Sequence, residues 1–122
     1  MPIVDIELVG ADTGLVGGPP TQRFADTIAQ VLGSPPGRTW VRLRSIDSSA
    51  YAENGGVPSG SVGPVFVTVL HAHPPTGAAL AAEVVALTRA VADCAGRPPE
   101  RVHVQYAAAA AGRQAFGGRL VD

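Results

Sequence analysis

Apolar side chains recur along this chain in two rhythms, one of period two and one of helical period. Pro2 to Val9 alternates and is rich in β-branched residues, which predicts a strand. A loop follows from Gly10 to Gly18, four of its nine residues being glycine. Pro19-Pro20-Thr21 then opens a helix with Phe24, Ile28, Val31 and Leu32 on one stripe, and Gly33 with Pro35 closes it. Thr39 to Ile46 reads as a second strand, and polar, glycine-rich Ser48 to Gly63 as a connector. The pattern then starts again. Val65 to about Ala72 is a strand, Pro74-Pro75-Thr76 leads into a longer helix with the stripe Leu80, Val84, Leu87 and Val91, and Gly96 with Pro98 ends it. Val102 to Tyr106 is the last strand, and the tail from Gly112 to Val121, holding Phe116-Gly117-Gly118, predicts a short hairpin.

The two rounds share one register, 63 residues apart. Gly33 to Leu43 lines up with Gly96 to Tyr106, Pro2 to Ile6 with Val65 to Val69, and Phe24, Ile28 and Val31 with Leu87, Val91 and Cys94. A single domain over residues 1–122 is expected, built from an internal repeat of 2–47 and 65–110. Each round is a strand–helix–strand unit whose right-handed crossover makes its strands parallel neighbours. The expected fold class is therefore α+β: two tandem βαβ units forming a four-stranded sheet with two helices on one face. On the other face Trp40, Val65, Val67, Val69 and Val104 are expected to stand, too apolar for water, which predicts burial against copies of the same chain.

Composition narrows the partners. A net charge of −1 argues against nucleic acid or an anionic membrane, and the long uncharged stretch from Val57 up to Glu83 is too interrupted to span a bilayer. The opening segment has no basic and apolar signal pattern, so a cytoplasmic location is the expectation. Cys94 sits in a helical pattern and is expected to pack as a small apolar residue. All nine cationic side chains are arginine. Without lysine, the amine available as a base is the chain's own amino terminus.

The Met1-Pro2 start on a strand, the Gly-x-Pro-Pro helix exit before Arg38 to Leu43, and Ala111-Gly112-Arg113-Gln114-Ala115-Phe116-Gly117-Gly118 together carry a resemblance. The chain resembles the tautomerase superfamily, in its macrophage migration inhibitory factor-like branch of fused double βαβ units; the tail is similar to the hairpin ending of 4-oxalocrotonate tautomerase. The resemblance implies a homotrimer, no cofactor, no metal, and an amino-terminal proline as base. Methionine before proline is normally removed, which would leave Pro2 a free secondary amine. An α-amino group ordinarily titrates near 7.7–8.0, and an apolar pocket or nearby arginines lower that value toward neutral pH. Such a base suits proton transfer between the oxygen and carbon of an enol acid. Val65 takes the matching place in the second unit, so the chain carries one such amine rather than two.

Substrates of the family are small acids, often 2-oxo acids, and their carboxylate needs donors. Arg38, Trp40 and Arg42 leave the first helix at alternate positions, and a guanidinium grips a carboxylate bidentately. By the resemblance, Arg38, Trp40, His103 and Gln105 fall where relatives line the pocket, His73 stands near arginines of related dehalogenases and decarboxylases, and Arg113 can approach from the tail. His71 and His73, two apart at a strand end, share a face; that spacing also admits a metal, for which no third ligand is evident. Asp12 and Glu53 are the acids a water-activating variant would need. The leading expectation is a cofactor-independent keto–enol tautomerase. The alternatives are a hydratase, dehalogenase or decarboxylase of small unsaturated acids, and a non-catalytic interaction protein.

Overall fold

The structure is a computed structural model that describes residues 1–10 and 18–122. Its elements are β1 (Ile3–Val9), α1 (Gly18–Val31), β2 (Trp40–Ile46), β3 (Val65–Leu70), α2 (Gly77–Ala95), β4 (Val102–Tyr106) and a tail hairpin of β5 (Ala115–Phe116) and β6 (Arg119–Leu120). The loop expected over Gly10–Gly18 lies largely outside the described residues, and Asp12 with it.

The main sheet runs β2-β1-β3-β4. β1 and β2 are parallel, as are β3 and β4, while β1 and β3 meet antiparallel in the middle. The expected architecture, two βαβ units making four strands with both helices packed on one side, is the one found. Val4, Ile6 and Leu8 of β1, Val65, Val67 and Val69 of β3, Phe24 and Ile28 of α1, and Leu87 and Val91 of α2 form the core, each at most 1% exposed. Cys94 is buried against them as expected.

The open face of the sheet differs from the expectation. Val65, Val67 and Val69 point to the helices, and Val104 packs against the same core; of the five residues expected on the open face, Trp40 alone stands there, 51% exposed. The reason is that β3 is apolar at nearly every position, so its valines do not by themselves say which side is in. Register decides. Val69, Val67 and Val65 pair with Val4, Ile6 and Leu8, and the side facing the helices on β1 is then the side facing them on β3.

What remains on the open face forms three rows across the strands. One row is apolar: Trp40, Ile3 and Leu70. The next is polar: Arg42, Asp5, Thr68 and Gln105. The third mixes Arg44, Glu7, Phe66 and His103. Arg42 grips Asp5 through both nitrogens, at 2.5 and 2.7 Å, and Arg44 reaches Glu7 at 3.2 Å. The Arg42 hydrogen bond holds the Asp5 carboxyl below its ordinary value of 3.8. The stability this supplies is present above that ordinary value and is lost as pH falls through the lowered one.

Two glycines fix the far end of the sheet. Gly96, at φ 66°, ends α2 in the left-handed conformation and returns its N–H to Ala92 and Asp93. Gly63 lies so close to β1 that a Cβ there would sit 2.1 Å from the Val9 carbonyl oxygen. Arg97 closes this corner by donating one nitrogen to the carbonyls of Val9, Gly63 and Pro64, at 2.8, 2.6 and 3.1 Å.

Because Ile6 is wholly buried on a central strand, Ile6→Ala is expected to lower the free energy of unfolding by about 2–5 kcal/mol. Urea denaturation measures it; a loss well below 1 kcal/mol would contradict the placement of the core.

Candidate functional site

The alternation that buries Val4, Ile6 and Leu8 also buries Pro2, two residues upstream on the same side. Its carbonyl accepts a hydrogen bond from the Trp40 N–H at 3.1 Å, which ties the start of β1 to the start of β2. Met1 continues past it into a cleft of about 270 Å³ lined by Met1, Gly37, Arg38, Trp40, Phe116 and Val121. Since the Pro2 nitrogen is bonded to Met1, that residue stands between the ring nitrogen and the cleft.

The cleft draws on three parts of the chain. The Pro35-Pro36-Gly37 exit from α1 delivers Arg38 and Trp40 to one wall. Trp40 Nε1 donates back to the Gly37 carbonyl at 3.2 Å, which fixes the indole. The tail hairpin supplies the opposite wall: Phe116 meets Trp40 edge-to-face, centroids 4.6 Å apart. Among the described residues no carboxylate pairs with Arg38. An unpaired guanidinium beside two aromatic rings can hold a carboxylate and shield the atoms attached to it from water.

Of the residues expected to share a site, Pro2, Arg38 and Trp40 come together at this corner. The others do not join them within one chain. Arg42 is committed to Asp5 on the open face. His103 and Gln105 lie on β4, at the opposite edge of the sheet from β2; the His103 ring rests 5.6 Å from Phe66, and Gln105 donates to Thr68 at 2.9 Å. Arg113 borders a separate depression with Leu70, Ala107 to Ala110 and Gln114. His73 contacts the main-chain oxygen of Asp122 at 2.9 Å and so fastens the tail. β3 ends at Leu70 rather than Ala72, so His71 and His73 are no longer on a strand and take different partners. Among the described residues no three His, Cys, Asp or Glu side chains gather as for a metal ion. Glu53, the acid of the water-activating alternative, lies beside Phe66 and His103 near the other end of β1. It accepts from the Tyr51 hydroxyl at 2.6 Å, and that bond holds its carboxyl below the usual range.

Several residues at this corner were not singled out in the sequence. Phe116 and Val121 line the cleft. Thr39, which precedes the Trp40–Ile3 pair and so lies beside Pro2, has a buried hydroxyl without a partner. Glu83 accepts from the Tyr106 hydroxyl at 2.5 Å, with His71 Nε2 at 3.0 Å on the same oxygen. A signal for this group existed: Glu83 falls between Leu80 and Leu87 on the inward stripe of α2, where an acid needs buried partners.

No protein-family model matches the sequence, and no curated protein matches it. Solved structures do. The F6 fused 4-OT wild-type asymmetric trimer is similar at a TM-score of 0.76 and 13% identity, over 97% of this chain and 94% of that one. Pt0534 inactivated by 2-oxo-3-pentynoate gives 0.72 at 19% identity, over 97% and 95%. Macrophage migration inhibitory factor from Oncomelania hupensis gives 0.73 at 18% identity, over 100% and 83%. The fold is the one these fused 4-OT and macrophage migration inhibitory factor structures share. At these identities the likeness is one of architecture, and it extends over nearly the full length of this chain.

Trp40 is the sole tryptophan, and Phe116 shields one side of it. Phe116→Ala is expected to shift the tryptophan emission to longer wavelength and to leave the melting temperature nearly unchanged. Unaltered emission would place the hairpin elsewhere.

Proposed function

We propose that the chain is a cofactor-independent keto–enol tautomerase of small 2-oxo acids, with Pro2 as its general base once Met1 is removed. The observation that carries this reading is the position of Pro2: buried at the head of a central strand and joined through its nitrogen to Met1, which lines a cleft that also holds Arg38, paired with no described carboxylate. Removal of Met1 empties that part of the cleft and leaves a ring amine there. In the reaction, the Pro2 nitrogen takes the enol O–H proton as the C–O double bond forms, and returns it to the carbon end of the enol. Arg38 holds the substrate carboxylate throughout. Trp40 and Phe116 flank the carbon skeleton and exclude water, which favours the uncharged amine between turnovers.

Assembly as a homotrimer belongs to the same reading. It is supported by the open-face apolar row of exposed Trp40 with half-buried Ile3 and Leu70, and by the trimeric state of the F6 fused 4-OT structure. A second copy is also the means by which His103 and Gln105, on the far edge in one chain, would meet the cleft of another. Arg42, His73 and Arg113 are not needed for the proposed chemistry.

A second reading turns on Met1. Met1 itself lines the cleft, and a chain that keeps it has an acylated proline nitrogen and no base; such a chain would be a binding or interaction protein on a tautomerase fold. The water-activating alternative has no support from Glu53, which is engaged by Tyr51 and Arg101 away from Pro2.

Intact mass and turnover separate these. The tautomerase reading expects loss of one methionine and ketonisation of phenylenolpyruvate. Pro2→Ala should cut kcat/KM by about a hundredfold or more, and Arg38→Ala chiefly raise KM, by roughly tenfold. Equal rates for wild type and Pro2→Ala would refute it.

A further inference from the structure

Behind Pro2, on the helix side of the sheet, three titratable side chains from three elements meet on one oxygen. Glu83 of α2 accepts from the Tyr106 hydroxyl of β4 at 2.5 Å, and His71, just after β3, reaches the same Oε2 at 3.0 Å. The His71 and Tyr106 rings stack, 6.0 Å apart and 13° from parallel. His71 and Glu83 side chains are only 14% and 16% exposed. The Tyr106 hydroxyl is held well above its ordinary value by burial and by the Glu83 carboxylate, so it stays a neutral donor. None of the three enters the proposed proton transfer.

Their place in the sheet ties them to Pro2. The antiparallel ladder pairs Ile3 with Leu70. Extending that register one step past the ends of the paired strands sets Pro2 level with His71. Both backbones are pinned there: Trp40 N–H binds the Pro2 carbonyl, and Ala110 N–H binds the His71 carbonyl at 2.8 Å. Alternation puts both side chains on the helix side, where Pro2 is buried and His71 meets α2.

We propose that Glu83, with His71 as the switch on its charge and Tyr106 as its fixed donor, is a positioning residue that sets the proton affinity of the Pro2 amine from behind. When His71 lacks its proton, the carboxylate charge stands uncompensated and favours the protonated amine. When His71 is protonated, the pair is neutral and the amine is released toward its free-base form. The other charges near this end are Arg38 before β2, which disfavours the protonated amine, and Asp122, whose main-chain oxygen His73 contacts. On this side Thr39 adds a hydroxyl without charge. The inference rests on the reading of Pro2 as a free amine, and its test does not use turnover.

The experiment titrates the amine by ¹⁵N NMR in proline-labelled protein released from a fusion so that Pro2 is the first residue. Glu83→Gln, which removes the anion, should lower the amine pKa by on the order of one unit. His71→Asn, which leaves the anion permanently unbalanced, should raise it. Opposite displacements support the proposal; packing damage alone would not produce them. Unmoved values in both variants, or a fall in both, overturn it. If Glu83→Gln does not fold, His71→Asn decides alone: a raised value supports, an unchanged or lowered one overturns. Failure of the tautomerase reading shows separately, as a Pro2→Ala chain that still ketonises enols.

Discussion

The period-two alternation of β1 is the constraint on which both core and site depend. Val4, Ile6 and Leu8 enter the core because β1 lies between β2 and β3 with both helices on one side. Pro2 shares their parity and is drawn inward with them. A slip of one residue would expose the three core residues, turn Pro2 to the open face, and turn Asp5 and Glu7 into the core. The same register positions the neighbours. It sets Val69 against Val4, brings Trp40 beside Ile3, and carries His71 to the level of Pro2. A strand at the centre of the core therefore also aims the proposed base.

Charge is distributed around that strand in a consistent way. The open face neutralises itself through Asp5 with Arg42 and Glu7 with Arg44. Arg97 is spent on three carbonyls at the far corner, where burial pulls its guanidinium below the usual value. Arg38, at the mouth of the cleft, is left without a carboxylate from any described residue. A carboxylate on Arg38 from solution would meet no competitor on the described part of the chain, which is the electrostatic side of the proposed substrate class.

Much of the fold was legible because its signals agree with one another. Val102 to Tyr106 is the strand expected, the hairpin forms around Phe116-Gly117-Gly118, and the stripes Phe24–Ile28 and Leu87–Val91 meet in the core. β3 was harder. A run of Val-Phe-Val-Thr-Val-Leu is apolar on both sides, and only pairing with β1 shows which side is buried. The site was legible where it lies close in sequence to a turn, as with Arg38 and Trp40. It was not legible where tertiary packing assembles it: Glu83, His71 and Tyr106 come from three elements, and nothing short-range joins them. His103 and Gln105 sit on β4, at the far edge of the sheet from β2 and its Trp40, a separation that only the strand order reveals.

The most direct test of the account is covalent labelling with 2-oxo-3-pentynoate, the compound that inactivates Pt0534. An uncharged amine adds to its conjugated triple bond, whereas an acylated or protonated one does not. The account predicts one adduct per chain at neutral pH, found by peptide mass spectrometry on the Pro2 nitrogen and absent from Pro2→Ala. A chain that stays unlabelled, or that carries the label elsewhere while Pro2 remains free, would contradict it.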